Sequence, residues 1–152
     1  MRNLKQWLDA YGESHTNHTN IMIHKVCVPL IMLSILGMLW VAPKPAFLGD
    51  HSYINWATVF ASTCMVFYIL LGVRPALVML FQVSLMAYVL NWVHANVGSL
   101  FVLLLAVFIV SWVFQFIGHK IEGKKPSFIE DLQFLLVGPL WVYRSIFLRG
   151  LY

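Results

Sequence analysis

The chain has 152 residues and a formal net charge of +4, and 61% of its residues are hydrophobic while only 11% are charged. Soluble domains have about 45–50% apolar and about 25% charged residues, and a protein of this size has too little interior to bury such an excess of apolar surface. The composition therefore argues against a soluble globular protein, a disordered chain or a secreted disulfide scaffold, and the scattered basic residues favour orientation in a bilayer over nucleic-acid binding.

Four apolar stretches are long enough, or nearly so, to cross about 30 Å of hydrocarbon as helices, which takes about 17–25 residues. In chain order they are Val26–Ala42, Ile54–Val73, Pro75–Val93 and Val97–Gly118. Pro43 and Pro45 end the first span, and a proline is well tolerated at the start of the third. The pattern predicts an all-α polytopic membrane helical bundle with four transmembrane spans, which forms a single integral-membrane domain over residues 1–152.

A fifth apolar stretch, Leu132–Leu148, contains Gly138 and Pro139 in its middle. A fifth crossing would place Arg149 on the far side of the membrane and would break the helix at Pro139. We therefore predict a C-terminal re-entrant or interfacial helical hairpin, over about residues 132–148, that returns to the cytoplasmic side.

The basic residues orient this bundle, because one side receives seven of them and the other side receives only Lys44. The seven are Arg2, Lys5, Lys25, Arg74, Lys120, Lys124 and Lys125. Loops rich in Lys and Arg stay in the cytoplasm, so both the N-terminus and the C-terminus are predicted to be cytoplasmic. The short chain without a retention tail favours a bacterial inner membrane over the endoplasmic reticulum.

Every acidic residue lies outside the four predicted spans, whereas an ion-coupled transporter usually needs ionisable groups at membrane depth. The histidines are the remaining candidates for chemistry. Four of them share the predicted cytoplasmic interface, namely His15, His18, His24 and His119. Because neutral imidazole is the commonest side-chain ligand of transition metals, this interface is a candidate metal site. The alternative is that these histidines are solvated or hydrogen-bonded at the membrane surface.

Helical spacing sets conditions on such a site. Asn17, Asn20 and His24 fall within roughly 60° on one helix face. His15 and His24 are nine positions apart, which is about 180° on a straight helix, so both can bind one metal only if the chain bends between them. The polar residues around Asn17 are of the types that cap or interrupt helices, which makes a bend plausible.

The second half of the candidate site lies after the fourth span. His119 and Glu122 are at i and i+3 and therefore share a helix face. This spacing allows Glu122 to act as a metal ligand or as an acceptor that fixes a histidine tautomer. Lys120 and Lys124 either anchor the helix end at the interface or attract an anionic head group.

Two motifs at opposite ends of the core resemble the yeast 2-hydroxy-fatty-acid dioxygenase family of small polytopic membrane proteins. The first motif is Tyr11…His15-x-Asn17-x-x-Asn20-x-x-x-His24…Pro29. The second is Trp112-x-x-Gln115-Phe116-Ile117-Gly118-His119, followed by Glu122, Pro126 and Gly138-Pro139. The resemblance covers nearly the whole chain. It departs from the family in that Glu122 follows His119 one residue sooner, and His18 stands where the family often has proline.

The resemblance implies an Fe(II)-dependent dioxygenase that shortens a 2-hydroxy long-chain fatty acid by one carbon, using O₂, in an α-oxidation step at the cytoplasmic face of the membrane. It implies that His15, His24 and His119 are the iron ligands, whereas His94 corresponds only loosely to a further family histidine. Under this hypothesis Glu122 is a ligand or supports one, Asn17 and Asn20 form hydrogen bonds to ligands or substrate, and Lys120 or Lys124 steers the substrate carboxylate. The acyl chain would lie in the apolar interior of the bundle or between helices, next to membrane lipid.

Two other classes of function compete with this interpretation. One is a non-enzymatic membrane protein, either a small transporter or a structural partner with interfacial histidines. The other is a haem-binding electron carrier with two histidine ligands, which would require histidines that face each other across spans rather than a cluster at one interface.

Overall fold

A computed structural model of the chain describes residues 2–45, 54–96, 99–126 and 133–148. Within these ranges the chain forms six α-helices, and it contains no β-strand there. They are α1 (Leu4–Gly12), α2 (His18–Val41), α3 (Trp56–Leu71), α4 (Val73–Asn96), α5 (Leu100–Glu122) and α6 (Phe134–Phe147). The helices α2, α4 and α5 are long and apolar enough to cross a membrane, and α3 is a shorter apolar helix. The protein is therefore an all-α membrane protein, as predicted.

The N-terminal helix α1 was not predicted, although two local signals mark it. Asn3 caps it, because its side chain accepts a hydrogen bond from the backbone N–H of Gln6 while the Gln6 side chain accepts one from the N–H of Asn3. The buried residues Leu4, Trp7, Leu8 and Tyr11 follow the spacing of one helix face. This helix therefore packs its apolar face onto the rest of the protein, and the buried Tyr11 lies in its last turn.

The helix α2 begins eight residues before the predicted start at Val26, because Asn17 provides an N-cap that the hydropathy pattern does not register. The Asn17 side chain accepts hydrogen bonds from the backbone N–H groups of Thr19 and Asn20. Polar residues of the candidate site, Asn20 and His24, therefore lie on the first turns of α2 itself, on the helix face that their spacing predicts.

The helices α2 to α5 run alternately up and down. At one end, the indole N–H of Trp56, where α3 begins, donates to the carbonyl of Pro43 just after α2. At that same end Leu36 of α2 packs in one buried cluster with Leu90 of α4 and Leu104 of α5. Among the described helices, α2 and α5 share the most extensive contact and pack side by side.

The helices α1 and α6 lie together at the opposite end of the bundle. Trp7 of α1 meets Phe134 of α6 edge to face, with 5.3 Å between ring centroids, and both belong to a buried cluster with Met79 of α4. This cluster closes the end of the bundle at which α2 begins and α5 ends.

The helix α6 continues through Pro139, so the expected break at this residue is wrong. A proline removes the hydrogen bond to the carbonyl four residues earlier, yet burial against α1 and α4 holds α6 in place. Next to the carbonyl of Leu135, which lacks this bond, the carbonyl of Leu136 accepts a hydrogen bond from the Tyr68 hydroxyl at 3.0 Å. In place of the hairpin, the described residues form a single helix of 14 residues, and Leu132 and Arg149 lie outside the described ranges.

Candidate metal centre

Three histidines from distant parts of the chain converge at the end of the bundle where α1 and α6 lie. Each of His15, His24 and His119 offers a ring nitrogen, and these nitrogens all lie within 4.8 Å of one another. The side chains are only 3%, 1% and 5% exposed. Three buried imidazoles at this separation have the size and donor type of a metal-binding site.

Each histidine comes from a different local structure. His15 lies in the short link between α1 and α2, His24 in the second turn of α2, and His119 in the last turn of α5. The chain is not helical at residues 13–17, which is the interruption that the nine-residue spacing requires. The link turns His15 back over the start of α2, and its ring centroid lies 4.3 Å from that of His24.

Backbone carbonyls orient two of the imidazoles. His15 Nδ1 lies 2.6 Å from the carbonyl oxygen of Tyr11, and His24 Nδ1 lies 3.0 Å from that of Asn20. A carbonyl can only accept, so each Nδ1 carries the proton and each Nε2 keeps its lone pair. Carbonyl acceptors of this kind are the usual way in which a protein fixes the tautomer of a metal-binding histidine.

Two of the ring nitrogens at this centre are buried and without a hydrogen-bond partner among the described residues, namely His15 Nε2 and His119 Nδ1. An unpaired buried nitrogen is unfavourable unless a further group satisfies it. A metal ion bound between the three rings would provide that group. The geometry of the donor atoms therefore fits a metal that accepts imidazole nitrogen.

The surroundings of His15 keep its ring neutral. Tyr11 stacks on it with 4.2 Å between centroids and an interplanar angle of 4°, and Trp141 lies 5.0 Å away on α6. Burial lowers the pKa of His15 from 6.5 to about 3, and the neighbouring imidazole of His24 acts in the same direction. A neutral ring with a free lone pair is the form that binds a metal.

Glu122 joins the two halves of the site without belonging to the group of clustered donors. One carboxylate oxygen accepts from the Thr16 backbone N–H at 2.8 Å and from the Thr16 hydroxyl. The other accepts from the Asn17 N–H at 2.9 Å and from the Asn20 side-chain amide at 3.1 Å. The end of α5 therefore holds the link that carries His15.

The two asparagines predicted to contact ligand or substrate serve the backbone around the site. Asn17 is exposed and caps α2. Asn20 is fully buried, and its side-chain amide donates to the carbonyl of Ser14 and to Glu122. Through these contacts, Asn20 connects the turn before His15 to the end of α5.

Two lysines and two further histidines among the described residues, namely Lys120, Lys124, His18 and His94, lie away from the three imidazoles. Lys120 and Lys124 are exposed, and Lys124 donates to the backbone carbonyl of Glu13 at 2.6 Å. Neither lysine is among the described residues that line the cavity next to the site. His18 is exposed at the first position of α2, and His94 is exposed in the last turn of α4, at the other end of the bundle.

An apolar cavity of about 320 Å³ opens from the three histidines into the bundle. Its polar lining is concentrated at the histidine end, where Gln115 forms a hydrogen bond with His24. Tyr11 and Tyr68 also line it there. Away from the histidines the walls are apolar, and they include Val28, Ile31, Met32, Ile35, Leu36, Phe60, Ala61, Met65, Val83 and Phe108.

Sequence reasoning assigned no role to several residues of this site. Tyr11 and Gln115 stand in the two motifs without an assigned function, and neither motif contains Trp141. The positions of Tyr11 and Gln115 in the motifs were an available signal for two of them. The contact of Trp141 with His15 depends on how α6 docks, which no local pattern encodes.

The family model described as 2-hydroxy-palmitic acid dioxygenase Mpo1-like matches residues 1–149. No curated protein and no solved structure matches the chain. Because the match covers nearly the whole sequence, the chain belongs to this family, and the resemblance drawn from the two motifs is confirmed.

Proposed function

We propose that this chain, as a member of the Mpo1-like family, is an Fe(II)-dependent dioxygenase that shortens 2-hydroxy fatty acids by one carbon. The observation that carries the proposal is the position of three buried imidazoles at the polar end of an apolar cavity. A fatty acid has the complementary form, with one polar end and a long apolar chain. The family description supports the same substrate class.

The donor set supports iron as the metal. His15, His24 and His119 would hold the ion, and three protein ligands leave further positions open for substrate and O₂. A bound ferrous ion would supply the redox chemistry that couples oxidation of the 2-hydroxy acid to reduction of O₂. Three histidines also suit Zn²⁺, so the identity of the metal is part of the proposal and is tested below.

The proposed reaction balances without a further reductant when it is written for an acid product. The C1–C2 bond of RCH(OH)COOH is broken, C1 leaves as CO₂, and with one O₂ the other products are RCOOH and water. The four electrons that reduce O₂ all come from the substrate. The chain contributes orientation, since the carbonyls of Tyr11 and Asn20 aim two of the imidazoles, and it contributes an apolar cavity that limits access of water.

The cavity also suits a substrate that is dissolved in the membrane. Phe60 and Leu135 both line it, and they are 44% and 46% exposed at the outer surface of the bundle. The exposed surface around them is apolar, as a lipid-facing surface is. An acyl chain could therefore reach the cavity from the bilayer without passing through water.

The placement in the membrane forms part of the proposal. We propose four crossings by α2 to α5 within a single domain, with both termini in the cytoplasm, in a bacterial inner membrane. The helix α3 has 16 residues, about 24 Å, and such a helix is accommodated by local thinning of the bilayer. The alternating directions of the four helices support this arrangement.

The competing functions fit the site less well. The centroids of the three imidazoles lie 4.3–5.0 Å apart, which leaves no room for a haem between any two rings. None of the described carboxylates lies inside the four proposed crossings, because Asp9 lies on α1, Glu13 directly after it, and Glu122 at the last residue of α5. Ion-coupled transport usually relies on such groups at membrane depth, so a transporter is disfavoured.

The test combines metal analysis with a product assay. Protein purified without oxygen in detergent is expected to retain about one iron per chain, and incubation with 2-hydroxypalmitate and O₂ is expected to yield a C15 product. Stoichiometric zinc without iron, or iron without any C15 acid or aldehyde, would contradict the proposal.

Substitution of the ligands tests the assignment of the site. We expect His15→Ala, His24→Ala and His119→Ala each to weaken metal binding by more than about 100-fold. Substitution of a residue that contacts only a ligand, and not the metal, usually weakens binding by about 10–100-fold. His18→Ala is the matched control, because His18 is exposed and near the site in sequence. Metal affinity equal to the wild type in the three buried variants would refute the assignment.

A further inference from the structure

The cavity next to the histidines is long and narrow, and two antiparallel helices give its length independently. Along α2 its lining residues run from His24 to Leu36, which is 12 positions or about 18 Å. Along α5 they run from His119 back to Phe108, which is 11 positions or about 16 Å. The cavity therefore extends about 16–18 Å from the imidazoles into the bundle.

The far end of the cavity is formed by one residue from each of three helices. Leu36 of α2, Ala61 of α3 and Val83 of α4 line the cavity, and they also line a separate small pocket beyond it. That pocket has a volume of only about 30 Å³, and its other walls include Ala87 and Leu90. The three shared residues thus form a partition, which we call the cavity floor.

We propose that the cavity floor, formed by Leu36, Ala61 and Val83, sets the maximum length of the acyl chain that the protein accepts. This inference rests on the proposed function, because it assumes that the occupant is a fatty acid whose carboxyl end lies at the histidines. Residues beside the imidazoles then select the head group, while residues three to four helical turns away select the chain length.

The dimensions give the expected limit. An extended chain of carbon atoms advances about 1.2 Å per bond, since three backbone bonds of an extended polypeptide cover 3.3–3.6 Å. A depth of 16–18 Å therefore holds a chain of about 14–16 carbons. Each methylene that enters the apolar cavity is expected to tighten binding about fourfold. Methylenes beyond the floor should add little.

The experiment measures binding to the full-length protein without metal, so that it does not depend on turnover. Saturated 2-hydroxy fatty acids of 10 to 20 carbons compete with a fluorescent fatty acid in one fixed detergent. The ratio of the Kd of each variant to that of the wild type is compared at every chain length, because partition of the fatty acids into micelles cancels in this ratio. For the wild type, corrected for partition, affinity should rise about fourfold per methylene up to about 14–16 carbons and then level off.

Two substitutions, on different helices, add bulk at the cavity floor and shorten the cavity. A third substitution is the matched control. Ala61→Phe and Val83→Phe should weaken binding of the C16 acid at least tenfold and binding of the C10 acid less than twofold. Ala87→Phe adds a similar side chain one turn deeper on α4, where it lines only the small pocket. The control should leave the length profile as in the wild type.

The outcomes distinguish the floor from the proposed chemistry. An unchanged length profile in both variants at the floor would overturn the inference, as would an equal shift in Ala87→Phe. If one floor variant fails to fold, the other decides, and a wild-type affinity that keeps rising fourfold per methylene through C20 would overturn the inference without any variant. A normal length limit in a protein that forms no C15 product would refute the dioxygenase activity while leaving the floor intact.

Discussion

The side chain of Glu122 connects two parts of the candidate metal centre without belonging to its cluster of imidazoles. It lies three residues after His119, and its carboxylate accepts hydrogen bonds from Thr16 and Asn17, directly after His15. A carboxylate offers about four acceptor positions, and here the backbone and side-chain donors of that link use both oxygens. Glu122 is therefore a positioning residue that sets the distance between His15 and His119.

We predict that Glu122→Gln weakens metal binding about 10–100-fold while the protein stays folded. The amide of glutamine would turn its own N–H donors toward the N–H groups of Thr16 or Asn17. The segment between α1 and α2 would then move, and His15 would move with it. Metal titration of the detergent-solubilised protein measures the effect, and the absorption spectrum of a Co²⁺ form would report the altered ligand geometry. Glu13→Gln makes the same charge change at an exposed position and should bind metal as the wild type does. Equal affinities in the two variants would contradict this role.

The burial of His15 predicts a specific pH dependence of stability. Its pKa is lowered from 6.5 to about 3 in the folded chain, chiefly by desolvation, so between these values the unfolded state binds the extra proton. The free energy of unfolding is therefore unaffected by this group above pH 6.5, and it decreases as the pH falls from 6.5 toward 3. At pH 5 the loss is about 2 kcal/mol from this group.

Thermal unfolding of the metal-free protein between pH 7 and pH 5 measures this effect. The unfolding temperature should fall with pH in the wild type and fall less steeply in His15→Asn. His18→Asn, which changes an exposed imidazole, should keep the wild-type slope. A slope in His15→Asn as steep as that of the wild type would argue against a neutral, buried His15.

At the scale of helices, two glycines allow α2 and α5 to approach closely at both ends. A Cβ atom on Gly118 would collide with the side-chain oxygen of Asn20, which is fully buried beside the candidate metal centre. A Cβ atom on Gly37 would collide with Leu104 and approach Leu90 to 2.7 Å at the opposite end. The same helix pair is thus close-packed at one end beside the histidines and at the other inside an apolar cluster.

We predict that Gly118→Ala and Gly37→Ala have different consequences. Both should lower stability by about 1–3 kcal/mol through overpacking, as measured by thermal unfolding in detergent. Only Gly118→Ala should also weaken metal binding, because displacement of Asn20 disturbs both His24 and the bond to Glu122. Loss of metal affinity in Gly37→Ala to the same degree would show that general loosening, and not local geometry, controls the site.

At the scale of the whole molecule, basic residues gather at the end that carries the histidines. Arg2 precedes α1, Lys5 lies on α1, and Lys124 follows α5. Arg74 lies at the junction of α3 and α4, next to Leu71 and Ala76, which pack against the cluster formed by α1 and α6. The arrangement of these charges in space agrees with the positive-inside rule for four crossings.

Labelling of introduced cysteines tests this topology. After replacement of Cys27 and Cys64 by alanine, His18→Cys and Lys125→Cys should react with a membrane-impermeant reagent from the same side, the cytoplasmic one. Ser99→Cys, at the start of α5, should react only from the other side. All three positions are exposed, so differences in labelling report sidedness. Labelling of all three from one side would rule out four crossings.

Much of the architecture could be predicted from composition and short-range spacing. The long apolar runs predicted the regions of α2 to α5, since a span of the bilayer requires a length and hydropathy that are local properties. The need for a bend between His15 and His24 followed from helix geometry alone. The two motifs pointed to the family and to the three histidines.

The short helices α1 and α6 were harder to predict because their stability comes from contact with distant residues. A helix of 9 residues such as α1 is marginal by itself and forms when tertiary packing buries its apolar face. The continuity of α6 through Pro139 has the same origin, because burial against α1 and α4 opposes the local preference for a break.

The sequence by itself determined the class of the protein, the approximate spans and the candidate histidines, because these depend on composition and on spacing along one element. Only the tertiary structure decided that His15, His24 and His119 share one centre, that Glu122 holds the link beside it, and that the cavity ends at Leu36, Ala61 and Val83. These features join residues up to about a hundred positions apart, and their distances are set by how helices pack, which no local pattern specifies.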